Sequence, residues 1–138
     1  MPWYHSPIMH DRQCVGSEEP HTTTSLVYVD LPDASITTKS VAEFGSYIIT
    51  FSALMNASLN NTTANFRVSI NGVPVDVNGT NIRLKVKELD ISYPITCVAP
   101  NVPEGAIIKV EFKTDNGTLM VEEYNLTVDG IPESRIVE

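Results

Sequence analysis

Apolar and polar side chains alternate in short runs along most of the chain, the pattern of strands with one buried face and one exposed face. In Asn81–Lys87, for example, three aliphatic residues alternate with three basic residues. Turn-forming residues separate these runs at intervals of about 8–12 residues, a spacing typical of sandwiches and barrels. The pattern predicts eight strands, at about Ser25–Leu31, Ala34–Lys39, Ser46–Leu54, Asn65–Ile70 with a continuation at Pro74–Val77, Asn81–Lys87, Ile91–Val98, Ala106–Thr114 and Thr118–Val128.

Three features depart from simple alternation. Ser46–Leu54 is apolar on both faces, which indicates a central strand or a strand that a partner subunit covers. Ile107 lies on the outward face of its strand, so we expect it to contact a neighbour. The last strand changes phase near Glu122–Glu123, and a β-bulge at that point would account for the change.

Asn-Gly dipeptides mark three of the turns, at Asn71-Gly72, Asn78-Gly79 and Asn116-Gly117. Both residue types tolerate the positive φ angles of tight hairpins. Val41–Gly45 could form one helical turn, but no segment keeps an apolar period of about 3.6 residues over a useful length. The chain is therefore predicted to be all-β.

The first 22 residues differ from the rest of the chain because they show no alternating pattern, and they hold all three histidines and the only tryptophan. We interpret residues 1–22 as an N-terminal arm, residues 23–130 as the β-sandwich and residues 131–138 as a C-terminal tail. Four apolar residues of the arm are expected to anchor it against a partner. They are Trp3, Tyr4, Ile8 and Met9.

The composition fits one domain and narrows the classes of partner. The chain has 138 residues, of which 42% are hydrophobic, and Lys+Arg 9 against Asp+Glu 17 gives a formal net charge of −8. Because binding to phosphate backbones depends on a clustered positive surface, this balance argues against nucleic acid as the main partner. No apolar run approaches the roughly 18–20 residues of a membrane helix, so we expect no membrane insertion. The start of the chain lacks the regions of a signal peptide.

Residue types that carry catalysis or bind metals are sparse or poorly spaced. His5, His10, Cys14 and His21 form a loose group, but their gaps are wider than those of paired zinc ligands. No histidine follows His21, so the predicted sandwich lacks the commonest general base. Three pairs of neighbouring carboxylates fall where solvated acids are common. These pairs are Asp30/Asp33, Glu88/Asp90 and Glu122/Glu123. We therefore expect a protein that is not an enzyme and that binds no metal or cofactor.

The two cysteines are too few to staple a small secreted domain. Cys97 lies in a predicted strand, where a buried free thiol is expected. A disulfide between Cys14 and Cys97 stays open at this point.

Three motifs, taken in order, carry a resemblance to a known family. They are Phe44-Gly-Ser-Tyr-Ile-Ile-Thr-Phe-Ser-Ala53, Phe66-Arg-Val-Ser-Ile-Asn-Gly-Val73 and Val102-Pro-Glu-Gly-Ala-Ile-Ile-Lys-Val-Glu-Phe112, followed by Asn116-Gly-Thr and a closing strand. The sequence resembles the jelly-roll domains of the tumour-necrosis-factor-like and complement-globular-head type. It looks most like the versions in bacteriophage virion proteins, such as head fibres, capsid decoration proteins and tail-fibre tips. The resemblance covers about residues 24–130.

This resemblance implies an eight-stranded antiparallel jelly-roll sandwich with an extended N-terminal arm, and a homotrimer with an aromatic-rich sheet around its axis. Four aromatic residues would lie either along that axis or inside the subunit: Tyr47, Phe51, Phe112 and Tyr124. The candidate subunit interface consists of Tyr47, Ile48, Phe51 and Ile107. The resemblance also implies that the arm anchors the domain to the particle and that the protein is part of a virion assembled in the host cytoplasm.

These expectations describe a non-enzymatic structural protein of a phage-like virion, either a capsid decoration protein or a head or tail fibre component. Its partners would be other virion proteins, namely capsid or tail subunits. The alternative is a receptor- or glycan-binding tip module of a fibre, whose loops Asn56–Thr63 and Asp115–Thr118 contact a host surface. Loops rich in Asn, Ser and Thr suit hydrogen bonding to sugars, although neither loop holds an aromatic residue.

Overall fold

The computed structural model describes residues 11–39, 46–59, 62–75, 81–84, 91–100 and 102–131. In these ranges strands, turns and loops make up the chain, and no helix occurs that could cross a membrane. The ten strands found there are β1 (Asp11–Ser17), β2 (His21–Thr23), β3 (Val29–Thr37), β4 (Ser46–Ala57), β5 (Thr62–Ile70), β6 (Val73–Pro74), β7 (Asn81–Leu84), β8 (Ile91–Ala99), β9 (Ile107–Thr114) and β10 (Leu119–Ile131).

The strands form two antiparallel sheets that pack face to face as a sandwich. Sheet A has the order β1-β10-β4-β8, and β2 pairs with β10 beyond the end of β1. Sheet B has the order β3-β9-β5, and β6 and β7 pair with opposite ends of β5.

The pairing of the strands is nested, so that the chain is one long antiparallel ribbon rolled onto itself. β1 pairs with β10, β3 with β9, β4 with β8 and β5 with β7. Rolling this ribbon places β10 beside β4 and β9 beside β5, and these two pairings complete the sheets. The result is the topology of a jelly roll, in which Greek-key turns wrap one core. The predicted fold class is therefore confirmed.

Inward-facing side chains of both sheets fill the interior. Phe51 of β4, Phe66 of β5 and Phe112 of β9 are among the largest fully buried side chains. The Phe51 and Phe66 rings are in contact across the sandwich, with centroids 5.3 Å apart, whereas Phe66 and Phe112 are cross-strand neighbours within sheet B, with centroids 6.5 Å apart. Aromatic pairs at such distances contribute about 0.5–1.5 kcal/mol each beyond the burial of their surface. The Phe51–Phe66 contact helps to hold the two sheets in one relative position.

Several local predictions are confirmed. The register of β10 against β4 shifts between Val121 and Glu123, at the predicted β-bulge. Asn71 and Gly72 have φ angles of 52° and 83°, so both adopt the left-handed conformation of a tight hairpin between β5 and β6. Gly117 has a φ of 65° in the turn before β10. The predicted turn at Asn78-Gly79 and the helical turn at Val41–Gly45 lie outside the described residues.

The structure redraws the N-terminal boundary and the number of strands. β1 and β2 lie within residues 1–22, the predicted arm, and both pair with β10. The first two predicted strands are one strand, β3, whose register against β9 shifts between Asp30 and Ser35. Asp33, inside this irregular stretch, has a φ of 62°. Residues 1–10 of the predicted arm lie outside the described residues.

At one end of sheet A, a buried carboxylate ties the first strand to the rest of the sandwich. Asp11 of β1, Gly130 of β10 and Tyr47 of β4 are register partners in one buried row. The Tyr47 ring passes over Gly130 on its way to Asp11, and a Cβ on residue 130 would lie 2.5 Å from this ring. Glycine at this position therefore leaves room for the ring. The Tyr47 hydroxyl and the Lys39 N–H, the latter at 2.6 Å, donate to Asp11 Oδ2. Gln13 Nε2 donates to Asp11 Oδ1 at 2.9 Å.

These hydrogen bonds decide the charge of the buried group. Burial by itself raises the pKa of Asp11, but the hydrogen bonds from Tyr47, the Lys39 backbone and Gln13 outweigh it and hold that pKa below the ordinary value of 3.8. Burial and the adjacent carboxylate raise the pKa of Tyr47 above its ordinary value of 10.0. At neutral pH the pair is therefore a carboxylate and a neutral phenol.

Replacing Tyr47 with phenylalanine removes one hydrogen bond to the buried carboxylate and keeps the ring over Gly130. We expect Tyr47→Phe to lower the free energy of unfolding by about 1.5–3 kcal/mol at neutral pH, the range for hydrogen bonds to charged groups. Denaturant titration followed by circular dichroism measures the change. Tyr28→Phe is the matched control, since Tyr28 contacts Arg67 through its ring face, and it should shift stability by less than about 0.5 kcal/mol.

The cost of Tyr47→Phe should fall in acid. A carboxyl group whose pKa is lowered on folding stabilises the fold above its unfolded pKa, and this contribution is lost as the pH falls through its folded pKa. For Asp11 the contribution is fully present above about pH 3.8 and is lost below it. The same titration at about pH 2.5 should give a smaller difference between variant and parent. An equal difference at both pH values would contradict an ionised Asp11.

Candidate interaction surfaces

Outward side chains of β1, β10, β4 and β8 form a surface that we call the sheet A face. It consists of four rows that follow the register of β1, β10 and β4, and β8 extends two of them. In order, the rows are Arg12–Asp129–Ile48–Val98, Cys14–Thr127–Thr50–Thr96, Gly16–Asn125–Ser52 and Glu123–Leu54. Past the β-bulge of β10, the outward side of sheet A continues with Thr22, Met120 and Asn56. Glu18, which follows the end of β1, lies beside the last row, because it lines the same depression as Glu123 and Leu54.

The sheet A face is unusual in its distribution of charge. Its two middle rows carry only hydroxyl, amide and thiol groups and one glycine, whereas the charged side chains lie in the end rows. Ile48 and Val98 are cross-strand neighbours and are 38% and 59% exposed. Exposed sheets usually carry charged side chains that keep copies apart. The uncharged centre therefore makes this face a candidate contact surface.

A shallow depression of about 640 Å³ lies on the same face. Its lining includes the carboxylates of Glu18 and Glu123, the amide of Asn125 and the hydroxyl of Ser52. Gly16 is needed there, because a Cβ would lie 2.4 Å from the Tyr124 carbonyl oxygen and 2.7 Å from Asn125 Oδ1. The lining is rich in hydrogen-bond acceptors, so the depression suits a cationic or a hydroxylated group.

The outward face of sheet B differs, because its charges pair with one another. Its ion pairs are Asp30–Lys109 at 3.0 Å and Arg67–Glu111 at 2.7 Å. Two side chains make cation–π contacts with the Tyr28 ring. Arg67 Cζ lies 4.2 Å and Lys113 Nζ 4.7 Å from the ring centroid. Covering this face with a partner would desolvate these pairs at a cost that their attraction only partly offsets. Sheet B is therefore the better hydrated of the two faces.

The predicted interface residues divide between the interior and the two faces. All four aromatic residues considered for a symmetry axis are buried inside the subunit: Tyr47, Phe51, Phe112 and Tyr124. Ile48 lies on the sheet A face, whereas Ile107 lies on the outward face of sheet B and is 46% exposed. Because the two isoleucines lie on opposite faces of the sandwich, a single contact surface does not include both. The predicted anchors lie outside the described residues: Trp3, Tyr4, Ile8 and Met9.

The cysteines and histidines do not form a centre in the part of the chain that is described. Cys14 is exposed on the sheet A face and Cys97 is buried, and both are free thiols. Burial raises the pKa of the Cys97 thiol. The His21 ring packs 5.9 Å from that of Tyr124, centroid to centroid. No group of three metal-ligating side chains occurs among the described residues, and His5 and His10 are not among them.

Two of the paired carboxylates have partners of their own in the described ranges. Asp30 forms an ion pair with Lys109, and Glu122 accepts a hydrogen bond from Asn56 Nδ2 at 3.0 Å. Asp33 lies in the irregular stretch of β3. Glu88 and Asp90 fall outside the described residues.

The two loops considered for host contact meet at one end of the sandwich. The Ser58 N–H donates to the Thr118 carbonyl at 2.9 Å, and the Thr118 N–H donates to Ser58 Oγ at 2.8 Å. The Thr63 N–H donates to Asp115 Oδ1 at 2.7 Å. Residues from loops more than fifty positions apart therefore form one rim.

The sheet A face is the surface that sequence reasoning missed. Three of its four rows include residues of β1, which the sequence assigned to an arm. The outward residues of β4 gave a partial signal, because Ile48 and Leu54 flank Thr50 and Ser52 on the less apolar side of a two-sided strand. Without the pairing of β1 with β10, these residues could not be joined into a surface.

Comparison with known proteins identifies the fold. No protein-family model matches the chain, and no curated protein matches its sequence. The chain is similar to the VP2 subviral particle of infectious bursal disease virus, with a TM-score of 0.58 and 13% identity over 87% of this chain and 32% of that chain. It is similar to the vertex protein P5 of PRD1, with a TM-score of 0.55 and 10% identity over 89% of this chain and 97% of that chain.

A third similar structure is dimeric latent PorU from Porphyromonas gingivalis, with a TM-score of 0.59 and 6% identity over 90% of this chain and 13% of that chain. The chain thus spans about a third of VP2 and a small part of PorU, but nearly the whole of P5. At these identities the likeness establishes a shared jelly-roll fold.

Proposed function

We propose that this chain is a structural protein of a virion, in which the jelly roll is a building block of the shell or of an appendage. The observation that supports this most is the likeness to the PRD1 vertex protein P5, in which one jelly roll accounts for nearly all of both chains. The VP2 subviral particle carries the same fold in a third of its chain. The role is mechanical and non-enzymatic, the partners are capsid or tail subunits, and assembly takes place in the host cytoplasm.

Within that role we propose a capsid decoration protein or a head or tail fibre component of a phage-like particle. A homotrimer of about 46 kDa, three times the 15.2 kDa chain, fits such a component, since soluble homo-oligomers usually have closed symmetry. The exposed Ile107 supports a contact within the ring, because it is a large aliphatic side chain on the outward face of sheet B.

The segment before Asp11 is proposed to attach the jelly roll to the particle. Asp11 is fixed by three hydrogen bonds, so a segment that precedes it leaves the sandwich from a rigid point. The apolar anchors of this segment would supply the affinity, and repeated attachment would raise the effective concentration. The anchors are Trp3, Tyr4, Ile8 and Met9.

Deletion of residues 1–10 should separate the chain from the particle and leave the jelly roll folded, because the strand at Asp11–Ser17 is kept. Particles from cells that carry the virus are purified by density gradient, and mass spectrometry quantifies the chain in the particle band. The full chain should band with the particles, and the shortened chain should stay in the soluble fraction with an unchanged circular dichroism spectrum.

Two outcomes would count against these proposals in different ways. A full chain that is expressed but absent from the particle band would overturn the virion role. A shortened chain that still bands with the particles would refute the anchoring role of residues 1–10 and leave the virion role standing.

A glycan-binding fibre tip is the second candidate, and the meeting of the two loops favours it. Ser58, Asp115 and Thr118 lie on one rim and carry hydroxyl and carboxylate groups of the kind that bind sugar hydroxyls. The purified full chain on a glycan array should then bind a restricted set of glycans, and Asp115→Ala should abolish this binding. Absence of binding across the array would exclude this candidate.

A further inference from the structure

The sheet A face has the same character when it is followed from either end. Its central strand, β4, presents an aliphatic side chain, two hydroxyls and an aliphatic side chain, namely Ile48, Thr50, Ser52 and Leu54. The order of β10 is similarly symmetrical, with an acid, two uncharged polar groups and an acid: Asp129, Thr127, Asn125 and Glu123. We propose that two copies of this chain pack through their sheet A faces, related by a two-fold axis that crosses the strands.

The register of the sheet fixes where this axis lies. Val15, Leu126 and Phe51 are register partners in one inward-facing row, which lies midway between the two end rows of the face. A two-fold axis above that row and across the strands places Ile48 of one copy over Leu54 of the other, and Thr50 over Ser52. Aliphatic groups then meet aliphatic groups and hydroxyls meet hydroxyls, as an isologous contact requires.

The charged ends of the face complement each other across the same axis. Arg12, whose side chain is 75% exposed, is brought over the Glu18 end of the partner copy. That end holds the acceptor-rich depression lined by Glu18, Glu123 and Asn125. Asp129 approaches Glu123 of the partner copy, and the Arg12 guanidinium, 3.3 Å from Asp129, lies at this junction and partly compensates the like charges.

The size and flatness of the face also fit a second copy. Four strands about 4.8 Å apart and seven residues of about 3.4 Å each give a projected area of about 450 Å². Standard specific interfaces bury about 800 Å² per partner, so this contact is at the small end and should be weak and concentration-dependent. Small side chains in the middle rows permit the close approach of about 10 Å at which sheets stack.

The outward face of sheet B is a less favourable partner for the sheet A face than a second sheet A face is. Its ion pairs, Asp30–Lys109 and Arg67–Glu111, would be desolvated without a charge partner among the hydroxyls of the sheet A face. The two-fold contact does not depend on the virion role, and it can join single chains into dimers or trimers into hexamers. In either case, a variant that breaks the contact should have half the mass of the parent assembly.

The first test introduces a charge near the proposed axis. The mass of the full chain is measured by light scattering over a range of concentrations, for the parent, Thr50→Lys and Asn65→Lys. Asn65 lies on the outward face of sheet B opposite Lys113, at the other end of β9 from Ile107, so Asn65→Lys is the matched control. The parent and the control should approach twice the mass of Thr50→Lys at high concentration, with equal circular dichroism spectra for all three. Equal masses for all three proteins would overturn the proposal.

A charge exchange tests the pairing even if Thr50→Lys does not fold. Arg12→Glu and Glu18→Arg should each weaken the association by about tenfold, because each brings like charges together across the axis. The double variant should restore the association to near that of the parent. If the double variant associates no better than the single variants, the proposed orientation is refuted.

The exposed thiol of Cys14 provides an independent distance test. The axis places Cys14 of each copy one row from the centre and on the same strand, so a short bis-maleimide should join the two thiols. The reagent should yield a covalent dimer with the parent and none with Cys14→Ser. Failure to trap a dimer at a concentration where light scattering shows association would refute this packing.

Discussion

The pairing of the first strand of the sandwich with the last strand is the constraint on which the rest of the structure depends. β1 joins β10 along seven register positions, from Asp11–Gly130 to Ser17–Tyr124. These partners are more than a hundred residues apart in sequence, so the chain must close its longest loop to form them. The contact is secured at its outer end by Asp11, which is a carboxylate held among hydrogen-bond donors inside the sandwich. The chain loses the entropy of closing this loop before the stabilising contacts between β1 and β10 form. We therefore expect folding to be slow for a chain of this size.

The same constraint creates the surfaces that matter for function. Without β1, three of the four rows of the sheet A face would lose a residue, namely Arg12, Cys14 or Gly16. With β1 in place, the face has an uncharged centre and charged ends, whereas sheet B satisfies its charges internally. The sheet A face is therefore the better suited of the two sides to contact with another protein.

The strands from β4 onward were largely predictable because their inward positions are aliphatic or aromatic. Phe66 and Val68 of β5 are buried, as alternation indicated, and the phase change in β10 marks a real bulge. β1 was missed because its residues, DRQCVGS, offer no apolar alternation: its most buried side chain, Asp11, is an acid. A buried carboxylate becomes acceptable only when Tyr47, Gln13 and the Lys39 N–H are around it, and these partners are distant in sequence. The sheet A face could not be predicted for the same reason, because residues assigned to an arm are not expected to line the surface of a sheet.

The position of β1 limits which residues the proposed N-terminal attachment can use. If β1 is an integral strand, attachment through an N-terminal segment is left to residues before Asp11, and β1 supplies part of the sheet A face. Amide hydrogen exchange on the intact chain tests this most directly. We expect backbone amides of β1 that donate to β10 to be protected as strongly as those in the middle of β10. Exchange throughout residues 11–17 at the rate of an unstructured peptide would contradict the account.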